Sequence, residues 1–105
     1  MVTVTLIRSG DEYIGYDCLG HAGEAPEGEN IVCAAISVLT TTCANALESV
    51  AGLEVDAKAE SGRMRVRIQP GSGETAQVLF RFMLQGLRDI AAAYPGFLRI
   101  KTQKA

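Results

Sequence analysis

His21 is the only histidine in the chain, and it stands twelve residues before Cys33 in the stretch GHAGEAPEGENIVCAAIS. A thiol attacks well only as its thiolate. A neighbouring imidazole and the positive end of a helix both favour that form. Both are on offer here, because Asn30 is a good N-cap residue and the run after it is helix-like. With Asn30 as cap, Cys33 falls at the third helical position, beside backbone N–H groups that lack intrahelical partners. Those N–H groups would also serve as oxyanion donors to a tetrahedral intermediate. The chemistry implied is nucleophilic acyl transfer by a Cys33–His21 pair. Ser37 lies one helical turn past Cys33 and shares its face. Asn30 can orient the His21 imidazole as a third member or simply cap the helix.

Plainer roles compete at each position. Cysteine is among the most buried residue types, and Cys33 has apolar neighbours. A loop histidine is commonly satisfied by a carbonyl, and a mid-helix serine commonly bonds back to its own helix. Cys18, within a strand, and Cys43, on a helical apolar stripe, read as structural. Arg63, Arg65 and Arg67 alternate along one strand and read as a solvated face, with a docking patch as the lesser alternative.

The elements that must position the pair follow from periodicity. Val2–Arg8 and Glu12–Leu19 alternate like strands and are joined by turn chemistry at Ser9-Gly10-Asp11, giving a hairpin. Gly20 to Glu29 reads as a glycine- and acid-rich loop, with Gly20, Gly23 and Gly28 giving it freedom to gate a site. Ile31 to about Val50 reads as a helix whose stripe is Val32, Ile36, Leu39, Cys43, Leu47 and Val50. Leu53–Glu60 and Arg63–Gln69 form a second alternating hairpin. Glu74 to about Tyr94 reads as a second helix, with Leu79, Phe82, Met83, Leu87, Ile90 and Ala91 inward. Phe97–Thr102 is a short last strand before a fraying tail. The order ββαββαβ predicts an α+β fold, a two-layer α/β sandwich with about five strands and two helices on one face.

Composition bounds the rest. With 105 residues, 48% of them hydrophobic, the chain reads as one globular domain over residues 1–105. A net charge of -2 gives no global basic field, so direct nucleic-acid binding is not expected. No charged-then-apolar leader and no unbroken apolar span is read, so no membrane association is expected. Three cysteines and one histidine match no zinc spacing, and no metal or other cofactor is expected. Free thiols suit a reducing, cytoplasmic setting.

GHAG, a short glycine-containing loop, then IVCAAIS at a helix start resembles the ribosomal-processing cysteine protease family, Prp. The likeness extends to the order of strands and helices. It implies a small bacterial endopeptidase, a homodimer, with Cys33 as nucleophile and His21 as general base. It also implies a substrate: the short N-terminal extension of the large-subunit ribosomal protein numbered twenty-seven. The segment from about Gly23 to Glu29 would gate the site, and Ser37 matches the family's serine after the cysteine. One position departs, since the family commonly has aspartate where this chain has Asn30. Two other functions compete. One is a non-catalytic ribosome-assembly or RNA-binding module using Arg63, Arg65 and Arg67. The other is a redox-sensing thiol at Cys33, for which no resolving cysteine is near in sequence.

Overall fold

The computed structural model describes residues 1–20 and 27–105, with side chains in the second stretch from residue 30 onward. Seven elements follow the predicted order: β1 (Val2–Ser9), β2 (Glu12–Leu19), α1 (Glu27–Ser49), β3 (Asp56–Glu60), β4 (Arg63–Arg67), α2 (Glu74–Ala93) and β5 (Leu98–Lys104). They build one five-stranded sheet in the order β3-β4-β2-β1-β5. Three pairings are antiparallel, β1 with β2, β2 with β4, and β3 with β4. β1 with β5 is parallel, so the sheet is mixed.

Alternation decides which face of each strand is covered. Val2, Val4 and Leu6 of β1 and Tyr16 of β2 are buried against the helices. α1 supplies Val32, Ile36, Thr40, Cys43, Ala44 and Leu47 to the same core, and α2 supplies Ala76, Phe80, Met83, Leu84 and Leu87. By length and composition alone, Asn30–Ser49 could cross a membrane. In this fold its apolar stripe is instead the centre of the core.

Several expectations need correction. α1 begins at Glu27, so Asn30 is its fourth residue and not its N-cap, and Gly28 is helical and not part of a loop. The cause lies in residue type: glutamate favours helix more than asparagine does, and negative charge suits the positive end of the helix dipole. The stripe of α2 is rotated, with Phe80 buried and Phe82 74% exposed. Two residues apart on a helix is more than half a turn, so both rings cannot face the core, and contact with Tyr13 and Tyr16 selects Phe80. Val50 is likewise exposed, because α1 ends before it. β3 starts later than the alternation of Leu53–Glu60 predicts, and all five of its residues are exposed. The helices do not reach over this edge strand, so Ala57 and Ala59 alternate correctly without being covered. The C-terminal tail does not fray: β5 runs to Lys104, and Ala105 N–H donates to the Arg8 carbonyl at 2.7 Å.

The core is tied by Tyr16, whose hydroxyl donates to the Thr40 carbonyl at 2.5 Å and so links β2 to α1. Burial raises the Tyr16 pKa above the usual phenol range, and the neighbouring Cys43 raises it further. Burial also pushes the Cys43 thiol from 9.0 up to about 11, against a smaller opposing effect of its hydrogen bond with Tyr16. The unfolded chain therefore releases these protons at a pH where the folded chain keeps them. Stability should be level through neutral pH and fall as pH rises from 9.0 towards 11, with Cys43 alone accounting for about 2 kcal/mol. Thermal unfolding followed across that range checks this, with Cys43→Ala expected to flatten the decline. A melting temperature that stays level throughout would contradict it.

Candidate active site

Cys33 is the seventh residue of α1, on its second turn. Its N–H therefore lies within the helical ladder, past the four N-terminal positions, 27–30, whose N–H groups have no partner within the helix itself. This corrects the placement of Cys33 in the first turn. Helix-end fields fall off within that turn, so little of the thiol's activation can come from the dipole.

What the fold does supply is a cavity of about 250 Å³ between α1 and the uncovered β3–β4 edge. Cys33, Ile36, Ser37, Thr40 and Thr41 line it from the helix; Cys18 and Gly20 line it from the end of β2; Ala59 to Met64 line it from the second hairpin. The cavity exists because the helices stop short of β3, so that among the described residues no helix layer covers the inner side of the hairpin. Cys33 is half-buried there, and Ser37, one turn on, is exposed. So two of the predicted site residues, Cys33 and Ser37, share a wall. Glu60 and Arg63 set opposite charges at the rim.

Gly20 is the residue to which His21 is bonded, and its position is closely fixed. Its N–H donates to the Gly62 carbonyl at 3.0 Å. Its φ of 135° lies where side chains are strained, and a Cβ there would sit 2.5 Å from the Met1 carbonyl oxygen. Gly20 is thus a fixed stem at the cavity and not a freely moving loop residue. His21 and Gly23 lie outside the described residues, as do the remaining loop positions to residue 26. The hold of the Gly62 carbonyl on Gly20 is a long-range contact with no local signature in the sequence.

All three cysteines are thiols, none in a disulfide. Cys43 is buried, as expected of a structural cysteine, with its Sγ 3.8 Å from the Leu79 carbonyl oxygen. Cys18, also read as structural, instead faces the cavity. Among the described residues no cluster of three His, Cys, Asp or Glu side chains could hold a metal ion. The arginine stripe divides: Arg67 is bound to both Asp17 carboxylate oxygens, at 2.8 and 3.2 Å, while Arg63 borders the cavity.

A family model described as cysteine protease Prp matches residues 1–99. The ribosomal processing cysteine protease Prp of Bacillus subtilis (strain 168) is 29% identical over 109 residues, covering 97% of each chain. A crystal structure of SMU.848 from Streptococcus mutans is similar with 32% identity and a TM-score of 0.88, covering 100% of this chain and 96% of that one. The essential ribosomal processing protease Prp of S. aureus, in complex with a substrate peptide, has a TM-score of 0.88. It is 23% identical, over 98% of this chain and 100% of that one, a likeness that speaks for the fold.

Proposed function

This chain belongs to the cysteine protease Prp family, and we propose that Cys33 is its nucleophile, His21 its general base and a ribosomal protein's N-terminal extension its substrate. The observation that carries the assignment is the shared cavity. Cys33 lines one wall of it, and the opposite side is formed by Gly20, one peptide bond from His21. The resemblance of GHAG and IVCAAIS to the family's paired motif supports the same two residues. The B. subtilis relative is a ribosomal processing protease, which supports the substrate class.

The reaction proceeds through two displacements. The Cys33 thiolate attacks the scissile carbonyl carbon, giving a tetrahedral oxyanion. Collapse expels the amine, which takes the proton held by the His21 imidazolium, and leaves a Cys33 thioester. His21 then draws a proton from water, which attacks the thioester and frees the carboxylate and the thiol. Ser37, exposed on the same wall, is placed to hydrogen-bond the substrate near the nucleophile. Asn30, on the preceding turn of α1, carries no charge with which to polarise His21 and could only orient it, so the proposal rests on the Cys33–His21 dyad.

The substrate in this proposal is the extended form of the large-subunit ribosomal protein numbered twenty-seven, cut by a homodimer. The assay mixes reduced protein with that extended form and reads the product by intact mass and N-terminal sequencing. A single cut removing a short extension is expected. Light scattering on the same sample should give twice the chain mass. An extended substrate left whole would overturn the substrate assignment.

A further inference from the structure

Cys18 and Cys33 face one cavity from the two layers of the fold. Cys18 sits on β2, paired with Val4 of β1 and Met64 of β4, and like Val4 it points towards the helices. Cys33 comes down from the second turn of α1. Both are half-buried thiols, and fifteen residues of sequence separate them. Burial raises the Cys18 pKa, and the charge of Cys33 raises it further, which fits two thiols facing one cavity. Cys18 is thereby held as thiol, the poorer first target for an oxidant. Cys43 is an unsuitable partner, being buried against the Leu79 carbonyl and absent from the cavity wall. The protease reaction uses Cys33 and gives Cys18 no task.

We propose that Cys18 is the resolving thiol for Cys33, and that hydrogen peroxide joins the two in a disulfide that switches the site off reversibly. In the first step the Cys33 thiolate attacks one peroxide oxygen. The O–O bond breaks, the other oxygen leaves as hydroxide and is protonated to water, and Cys33 becomes a sulfenic acid. In the second step the Cys18 sulfur attacks the Cys33 sulfur. The S–O bond breaks, and the departing hydroxide takes the Cys18 proton and leaves as water. Two electrons pass from the two thiols to the peroxide. A dithiol reductant reverses the step by thiol–disulfide exchange.

The bond does two things to the site. It removes the nucleophile, and it holds the two Cα atoms within about 7 Å of each other, tying α1 to β2 across the cavity. It also protects, because a sulfenic acid without a resolving thiol goes on to the sulfinic acid, which a dithiol does not reverse. The effect on activity rests on Cys33 being the nucleophile; formation of the bond does not.

The test treats the reduced full chain with hydrogen peroxide, blocks remaining thiols with an alkylating agent, and reads intact mass, linked peptides and cleavage activity. The expected result is a loss of two hydrogens, a Cys18–Cys33 linked peptide, and recovery of mass and activity with dithiothreitol. Cys18→Ser should gain two oxygens on Cys33 and stay inactive after dithiothreitol, judged against its own reduced activity. Cys43→Ser should behave as the unmodified chain does. Absence of the Cys18–Cys33 peptide, a predominant link through Cys43, or full recovery of Cys18→Ser would each overturn the proposal. A disulfide that forms and leaves cleavage intact would uphold the thiol pair and overturn Cys33 as nucleophile.

Discussion

Cys33→Ala is expected to reduce cleavage of the extended ribosomal protein by at least about four orders of magnitude, to the background of the assay. No other described thiol can replace it, since Cys43 is buried and Cys18, though at the cavity, is held protonated. The fold should survive. Cys33 is half-buried and faces the cavity, so truncation leaves no closed void, and alanine is the best helix former. The melting temperature should move by no more than about 3 °C. Because Cys33 is on the second turn of α1, the dipole cannot substitute for a base. His21→Ala should therefore cost as much as Cys33→Ala, without the partial sparing that a thiol at the helix end would enjoy. Rates measured on one substrate for both variants, beside their melting curves, decide this. A folded Cys33→Ala protein cutting within tenfold of the parent would remove the nucleophile assignment, and a mildly affected His21→Ala would remove the base.

Strand periodicity made most of the sheet legible, because β1, β2 and β4 each have one face against a core and the other against water. β3 alternates equally well, yet neither helix covers it, and no local pattern can say where a helix layer stops. That undetected gap is the cavity. The parallel union of β1 with β5 was equally invisible, being a pairing between the two ends of the chain. On the helices, the existence of α1 and α2 was plain, but phase and start were not. Apolar residues outnumber the buried positions, so Phe82 and Phe80 compete for one face. Asn30 is a good cap in type, but helix-favouring residues precede it. The site shows the same division. Cys33 and Ser37 were legible as neighbours because helical spacing is local. Cys18 joins them only through the stacking of β2 under α1, which is why a residue read as structural lines the cavity.

Gly20→Ala should damage stability and catalysis together. The added Cβ would lie 2.5 Å from the Met1 carbonyl oxygen and 2.8 Å from the Val2 Cα. Both are backbone atoms, and Val2 is itself held by a 3.0 Å hydrogen bond to the Phe97 carbonyl and by pairing with β5. The first strand cannot step aside without loosening the sheet, so the end of β2 must move instead. That move breaks the Gly20–Gly62 hydrogen bond and carries with it the residue bonded to Gly20, His21. Clash, strain at a φ of 135° and the lost bond together should cost about 2–4 kcal/mol. Displacing a general base by about 1 Å should lower kcat about a hundredfold. Gly52→Ala is the matched control. Gly52 also has a positive φ, 70°, but no atom lies within 4 Å of its would-be Cβ, and it caps α1 far from the cavity. It should lose about 1 kcal/mol of stability and keep its kcat. Urea melts and single-turnover cleavage on the two variants separate the effects. If both lose kcat in step with stability, Gly20 is only a fold residue; if Gly20→Ala alone loses kcat while still folded, its stem role in setting His21 against Cys33 holds.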